Sequence, residues 1–96
     1  MKRSPFGLYL VAGDSMLPTY RAGDLLLGGR WLRPRPGRTV VVIRDRPIIK
    51  RVVRREAGGY WVEGDNASAS TDSRSFGLVP ANAIEAVIIA RLARGR

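Results

Sequence analysis

The stretch Thr39-Val40-Val41-Val42-Ile43 decides the fold class of this chain. All five of its side chains are branched at Cβ, and side chains of this kind favour extended backbone. Turn-forming residues stand on both sides of it, with Gly37 before and Pro47 after. We therefore expect residues 39–43 to form a β-strand.

The segments on either side of this stretch predict further strands. Residues 48–56 are expected to pair with it as a hairpin, and residues 60–63 follow across a second turn at 57–59. Strands are also expected at 6–12, 25–27 and 84–92, although the apolar pattern of the last is compatible with a helix. Residues 28–38 and 64–77 are expected to be loops, and residues 80–83 a single helical turn.

A succession of short strands separated by turns predicts an all-β protein. We expect residues 1–96 to form a single domain with an antiparallel β core, either a partly open barrel or a sandwich, and with few or no helices. An apolar fraction of 45% together with 26% charged residues is typical of a folded chain.

The composition restricts the chemistry. The chain contains no cysteine and no histidine, which excludes disulfides, thiol nucleophiles and the commonest general base. Proton transfer must then use Lys, Asp, Glu or Tyr. Seventeen Lys and Arg against eight Asp and Glu give a formal charge of +9, which attracts polyanions such as nucleic acid or anionic lipid.

The stretch Gly13-Asp14-Ser15-Met16-Leu17-Pro18-Thr19 carries the candidate nucleophile. Gly13 permits a tight turn and Pro18 restricts the backbone, so Ser15 is presented with little conformational freedom. A serine hydroxyl needs a base before it attacks a carbonyl group. In the absence of histidine, lysine is the next suitable base, and serine–lysine pairs serve some proteases.

Lys50 is the candidate base. The chain has fifteen arginines but only two lysines, Lys2 and Lys50. Arginine stays protonated and cannot act as a base, whereas the pKa of a buried lysine shifts readily. Lys50 lies among aliphatic residues in a predicted strand, where burial would lower its pKa. A strand lysine that points to solvent is the other interpretation of the same pattern.

Several blocks of the sequence resemble the type I signal peptidases in order and spacing. They are residues 13–19, Gly23-Asp24, Lys50-Arg51-Val52, Gly64-Asp65-Asn66 and residues 70–80. The resemblance therefore covers most of the chain, and it implies a serine–lysine endopeptidase that removes N-terminal leader segments. Within the family, the chain is most similar to the short members that mature nickel-type superoxide dismutase, by its size and by the hairpin from Lys50 to Trp61.

The resemblance implies a role for each site residue. Ser15 is the nucleophile and Lys50 the general base. Ser70 matches the serine that hydrogen-bonds the lysine amine and orients it. Asp72 and Arg74 match the pair that supports the active-site loop, and an Asp and an Arg two residues apart can hold a loop by a charge-assisted hydrogen bond. The backbone N–H of Ser15 is expected to form the oxyanion hole.

The sequence departs from the family in four respects. Gly13 stands where many bacterial members have a hydroxyl donor for the oxyanion hole, and Arg38 follows Gly37 where an Asp is common. Nothing in the sequence matches the usual N-terminal membrane anchor or the large insert of many bacterial members. These departures bear on membrane residence and on the substrate, but not on the Ser15–Lys50 dyad.

The sequence thus predicts a serine endopeptidase that removes an N-terminal leader from a protein precursor, with a nickel-type superoxide dismutase precursor as the candidate substrate. A self-cleaving repressor-type peptidase shares the dyad, but the residues before Ser15 leave no room for its own scissile bond. Two other classes stay open. One is a basic nucleic-acid-binding β-barrel with Trp31, Tyr60 and Trp61 as stacking surfaces. The other is a non-catalytic accessory protein that binds leaders, although it would have no need for a base at position 50.

Partners and location follow from the same features. The expected partner is the leader-bearing precursor, and neither a cofactor nor a metal is expected. No apolar run reaches the length of about 18 residues that a transmembrane helix requires. We therefore expect a cytoplasmic protein whose positive charge supports weak peripheral contact with anionic membranes, and no specific nucleic-acid partner.

Overall fold

The structure, a computed structural model, describes residues 3–96, so Lys2 lies outside the described residues. Its strands and helix are β1 Phe6–Leu10, β2 Leu25–Gly29, β3 Thr39–Ile43, β4 Pro47–Glu56, β5 Gly59–Glu63, α1 Ser73–Phe76 and β6 Ile84–Ala93. Single turns of 3-10 helix lie at Ala67–Ala69 and Ala81–Ala83, and the second of these is the predicted helical turn. Within residues 3–96, no helix is long and apolar enough to cross a bilayer.

The six strands form one antiparallel sheet in the order β1-β2-β6-β3-β4-β5. The last strand of the chain, β6, therefore lies between β2 and β3. The edges of the sheet are β1 and β5, and the sheet is not closed into a barrel. The predicted all-β fold with an antiparallel core and few helices is confirmed.

The β3 strand is buried on both faces, which explains its uninterrupted run of branched apolar residues. Val40 and Val42 pack on one face in a cluster with Val52, Tyr60, Val62, Val79 and Val87. Val41 packs on the other face in a cluster with Val11, Leu26, Ala86 and Ile88. Full burial of each valine contributes about 2 kcal/mol, so the central strand anchors both halves of the core.

The hairpin of β3 and β4 determines where Lys50 points. Lys50 pairs with Val40 across the hairpin, and opposite residues in an antiparallel pair share a face. Because side chains alternate along a strand, Lys50 lies on the same face as Ile48 and Val52, both of which pack with the Val40 cluster. Ile49 packs against the other cluster. Lys50 is therefore buried beside Ile48 and Val52, and Ile49 lies on the opposite face.

Two local expectations were wrong. Residues 64–77 were expected to be a loop throughout, but α1 forms there because the Asp72 side chain accepts a hydrogen bond from the Arg74 N–H as an N-cap. Gly77 ends this helix with φ +80°. Gly28 and Gly29 belong to β2 and not to the following loop. A Cβ atom on Gly28 would lie 2.8 Å from the Tyr9 ring, so the glycine permits close packing across β1 and β2.

Candidate active site

Residues 13–20 form a series of turns that presents Ser15. Gly13 has φ +72°, a backbone conformation that favours glycine. The Leu17 N–H donates to the Asp14 carbonyl at 3.2 Å, and the Tyr20 N–H donates to the Met16 carbonyl at 3.0 Å. The Met16 side chain is 1% exposed and anchors the turns in the interior. Ser15 itself is half-buried beside this anchor.

The structure brings the side chains of Ser15 and Lys50 together. Lys50 Nζ lies 2.7 Å from Ser15 Oγ, inside the range expected of a nucleophile and its base. Lys50 is only 5% exposed, so it is not the solvent-facing strand lysine that the sequence pattern also allowed. A proton can pass directly between these two atoms.

The surroundings of Lys50 disfavour its charged form. Burial is the largest influence and lowers the pKa of Lys50 below its usual value. The negative charge of Asp72 raises this pKa, and the positive charge of Arg74 lowers it. The Arg51 side chain, next along the strand, binds Asp65. The nearby positive charge is supplied by Arg74.

Asp72 holds the active-site loop together. Its carboxylate accepts hydrogen bonds from Arg74 Nη2 at 2.7 Å and Arg74 Nε at 3.0 Å, a bidentate pair. It also accepts from the Gly64 N–H at 2.8 Å and from Ser70 Oγ at 2.5 Å. The Ser70 hydroxyl is thus bound to Asp72, and no hydrogen bond joins it to Lys50 within residues 3–96. Ser70, the serine predicted to orient the lysine, is therefore connected to the Lys50 amine only indirectly, through the loop that contains Asp72.

The carboxylate of Asp72 is completely buried. Burial by itself would raise the pKa of Asp72, but hydrogen bonds from Arg74, Ser70 and the Gly64 N–H outweigh it and hold the pKa far below its usual value. Asp72 is therefore ionised at every pH at which a protein of this kind works. The Arg74 side chain that binds this carboxylate is itself 39% exposed.

The sequence assigned no role to Asp65, although this residue connects the turns at residues 13–20 to β4. The Asp65 carboxylate accepts from Thr19 Oγ1 at 2.6 Å and from Arg51 Nε and Nη2 at 2.8 and 2.7 Å. The hydrogen bond from Arg51 is the main reason why the pKa of Asp65 is lowered. The signal was present in the sequence, because Arg51 directly follows the candidate base and Asp65 follows Gly64.

Asn66 is a second positioning residue that the sequence did not reveal. Its backbone N–H donates to the Ser15 carbonyl at 2.8 Å, and its side-chain amide donates to the Asp14 carbonyl at 3.1 Å. Gly64 is required in the same place, because a Cβ atom there would lie 2.6 Å from the Ser15 carbonyl oxygen. The segment 64–66 therefore holds the backbone of Ser15 directly.

A cleft of about 230 Å³ opens beside the Ser15–Lys50 pair, between residues 10–16 and residues 46–50. A second cavity of about 310 Å³ adjoins it and is lined by Leu8, Tyr9, Leu10, Val41, Arg46, Pro47 and Ile49. Most of these walls are apolar, and β1, an edge strand, forms one of them. The two cavities share Leu10, Arg46, Pro47 and Ile49, so the open space extends from Ser15 towards β1.

The acidic and aromatic side chains bear on whether the chain could bind a metal ion or stack on nucleic acid. Within residues 3–96, no three acidic side chains gather into a group that could hold a metal ion. Of the three aromatic residues considered for stacking on nucleic acid, Tyr60 is buried in the core at 9% exposure. The Trp61 ring is covered by the Arg54 guanidinium, 4.4 Å from its centroid, and Trp31 packs edge-on against Phe6. These rings do not form one stacking platform.

Comparison with known proteins bears on the class of protein to which this chain is similar. The family described as signal peptidase, peptidase S26, matches residues 54–93. This match includes Ser70, Asp72 and Arg74, and Ser15 and Lys50 lie outside it. The chain is 39% identical over 57 residues to mitochondrial inner membrane protease subunit 1 of Schizosaccharomyces pombe, which is 59% of this chain and 35% of that protein.

A second relative is mitochondrial ATP-independent inner membrane protease subunit 1a of Arabidopsis thaliana, 51% identical over 35 residues. This alignment covers 36% of the present chain and 21% of the plant protein. The chain thus spans about a third or less of the curated relatives it matches. Taken together, the family match and the two proteases support a signal-peptidase-like protease.

Proposed function

We propose that this protein is a serine endopeptidase in which Lys50 activates Ser15 to remove an N-terminal leader from a protein precursor. One observation carries the proposal: Lys50 Nζ lies 2.7 Å from Ser15 Oγ in a position where burial lowers the pKa of the amine. A neutral amine at hydrogen-bond distance from a serine hydroxyl is the arrangement that nucleophilic catalysis without histidine requires.

The first half of the reaction forms an ester with the leader. Neutral Lys50 takes the Ser15 proton while Oγ attacks the carbonyl carbon of the scissile bond. The oxyanion that develops accepts a hydrogen bond from the Ser15 N–H, which donates to no other group within residues 3–96. Protonated Lys50 then gives its proton to the departing amine, and the mature protein leaves with a free N-terminus.

The second half of the reaction releases the leader. Lys50, neutral again, takes a proton from a water molecule that attacks the ester carbonyl. The resulting tetrahedral intermediate collapses, Ser15 recovers its proton from Lys50, and the leader departs with a carboxylate terminus. Asp72 and Arg74 act on this cycle electrostatically, because Asp72 favours the protonated amine and Arg74, which Asp72 fixes in place, disfavours it.

The substrate is inferred from the cleft and from the resemblance to leader-removing peptidases. The cleft admits an extended segment between residues 10–16 and 46–50, as expected for an unfolded leader. The precursor of nickel-type superoxide dismutase is the first candidate, because the size of the chain and its hairpin from Lys50 to Trp61 resemble those of the short peptidases that mature that enzyme.

The test is incubation of the protein with candidate precursors, followed by intact mass measurement of both products. We expect one cleavage that yields the leader and the mature chain, and no cleavage by Ser15→Ala. If no leader-bearing precursor is cut, or if Ser15→Ala cuts as well as the wild type, the proposed function is wrong.

We also propose that the protein works in the cytoplasm and touches anionic membranes weakly and reversibly. Its net charge of +9 supports electrostatic attraction. Phe6, Leu8, Leu10 and Trp31 are exposed at 47%, 63%, 69% and 56%, and we call them the β1 apolar surface. Phe6, Leu8 and Leu10 lie on the edge strand that borders the second cavity, and Trp31 packs against Phe6, so membrane contact would bring the cleft close to the lipid.

A further inference from the structure

Arg46 borders both the catalytic cleft and the second cavity. It lies in the turn between β3 and β4, where its carbonyl accepts a hydrogen bond from the Arg44 N–H at 3.2 Å. Its side chain is exposed, and within residues 3–96 it makes neither an ion pair nor a side-chain hydrogen bond. The guanidinium group is therefore available to a bound substrate.

The other lining groups leave the charge of Arg46 without a counterpart at the second cavity. Apart from Arg46 and the Tyr9 hydroxyl, that cavity is lined by aliphatic side chains and Pro47. Asp14 is the only acidic residue at either cavity, and it borders the catalytic cleft alone, beside Ser15. Asp14 and Arg46 form no ion pair. A substrate side chain that enters the second cavity thus meets one unopposed positive charge on an apolar wall.

The spacing along β4 gives the position of that side chain in the substrate. Arg46 precedes Lys50 by four residues, and Pro47 to Lys50 is extended backbone. Four residues of strand span about 13 Å. An extended substrate that lies between β1 and β4 covers the same distance with about four residues of its own, measured from the bond over Ser15.

We propose that Arg46 is a specificity-determining residue that selects substrates with an Asp or Glu about four residues from the scissile bond. This inference rests on the proposed function and names a property of its substrate. Carboxylates and guanidinium groups form charge-assisted, often bidentate hydrogen bonds. For a pair at the rim of a cleft we expect a preference of about fivefold in kcat/KM for an acidic over a neutral side chain.

The test uses peptides that span the junction cleaved in the precursor assay. One position at a time, from five residues before the scissile bond to five after it, carries Glu, Gln or Lys. With the wild type we expect Glu to be preferred over Gln, and Gln over Lys, at a position about four residues from the bond. With Arg46→Glu the order should reverse at the same position. The preference should also shrink at about 0.5 M salt, because exposed charges are screened there.

Arg38→Glu is the matched control. Arg38 is also an exposed arginine in a loop, but it borders neither cavity. This variant changes the net charge by the same amount and should leave the preference for Glu in place. Since the Arg46 side chain makes no hydrogen bond and no ion pair within residues 3–96, Arg46→Glu should fold, which thermal unfolding checks.

The outcomes separate this inference from the proposed function. Cleavage of all peptides by the wild type, with no charge preference at any position, overturns the role of Arg46 and leaves the protease assignment standing. A preference that Arg46→Glu does not reverse, or that Arg38→Glu removes equally, also overturns it. Failure to cleave any peptide contradicts the proposed function, and the inference falls with it.

Discussion

Burial is the main cause of the lowered pKa of Lys50, and of the two charges near the amine Asp72 raises this pKa and Arg74 lowers it. An arginine in the same place would stay charged at every accessible pH, since the pKa of its guanidinium exceeds about 12. Lys50 is the only lysine within residues 3–96, whereas the chain has fifteen arginines. The lysine therefore occupies a position where a side chain that can lose its proton is useful. Ser15 is within reach of this amine, because Ser15 Oγ lies 2.7 Å from Lys50 Nζ.

Two substitutions of Lys50 test whether its side chain acts as a base or only supplies a positive charge. Lys50→Met keeps the apolar stem and Lys50→Arg keeps the charge, but neither can take a proton from Ser15. We expect kcat/KM to fall by about a thousandfold or more in both variants, in the range that general-base catalysis contributes. Circular dichroism and thermal unfolding check that the fold is intact. Substantial activity in Lys50→Arg would mean that another group is the base.

The lowered pKa of Lys50 also makes a signed prediction about stability. The unfolded chain binds more protons than the folded one between the lowered pKa and the usual value of about 10.4, so stability rises with pH there. Below the folded-state pKa, the cost of burying a charged amine is fully present. Measured by denaturant titration, the free energy of unfolding of the wild type should therefore gain on that of Lys50→Met as the pH rises towards 10. A constant difference between the two proteins would contradict the shift.

On the scale of elements, the loop from β5 to α1 controls the electrostatics of the site. The N-cap carboxylate of α1, Asp72, is bound by Arg74 on the helix and by the Gly64 N–H at the end of β5. One buried group thus joins the start of the helix to the end of the strand. In the same loop, Asp65 accepts a hydrogen bond from Thr19 and the Asn66 N–H donates to the Ser15 carbonyl.

The charges of this loop should move the pH dependence of cleavage. Arg74→Gln removes a positive charge that lowers the pKa of Lys50 and leaves Asp72, which raises it. We expect the midpoint of the rise in kcat/KM with pH to move to higher pH in Arg74→Gln. Asp72→Asn should move it to lower pH in any fraction that folds. Arg38→Gln is the control for net charge, and a purely structural role of Arg74 would reduce activity without moving the midpoint.

Gly64 is the closest point between the loop and the nucleophile. A Cβ atom at this position would lie 2.6 Å from the Ser15 carbonyl oxygen and would also meet the Ser70 hydroxyl. Gly64→Ala should therefore push the two segments apart, with a stability cost of about 1–3 kcal/mol, as for other overpacked sites. We expect kcat/KM to fall by at least about tenfold, because small displacements of reacting groups are costly. Ala69→Ser, an exposed change in the same loop, should have neither effect.

At the scale of the whole molecule, a single open sheet carries the site and a strongly positive surface. Because β6 lies between β2 and β3, the first and last parts of the chain pack in the same sheet. Asp24 adds a further link, since its buried carboxylate accepts from the Gly95 N–H at 2.6 Å and the Arg21 N–H at 3.0 Å. The β1 strand is left as an edge beside the cleft, with the β1 apolar surface exposed.

Sedimentation with lipid vesicles tests the contact of this surface with membranes. We expect the protein to pellet with phosphatidylserine vesicles at low salt, to stay in the supernatant at about 0.5 M salt, and to ignore neutral phosphatidylcholine vesicles. The reason is that polybasic attraction is worth about 1 kcal/mol per residue and is screened by salt. Pelleting that persists at 0.5 M salt would mean that the β1 apolar surface inserts into the lipid, and absence of binding at low salt would exclude the contact.

The sequence by itself determined the class of the fold and pointed to the candidate nucleophile and the candidate base. The strand at 39–43, its hairpin partner and the helical turn at 81–83 follow from local patterns of branched side chains and turn formers. Ser15 and Lys50 stood out because the chain offers few other groups able to do this chemistry. Whether they catalyse the reaction stays a prediction.

Only the tertiary structure decided which polar groups meet. The Ser70 hydroxyl bonds to Asp72 and not to Lys50, Arg51 turns to Asp65, and the charge that opposes protonation of Lys50 comes from Arg74. Local patterns do not predict these choices, because a buried donor or acceptor takes whichever partner the packing of distant segments places within about 3 Å. The short helix α1 depends on the same partners, since its cap, Asp72, is held by residues from two elements.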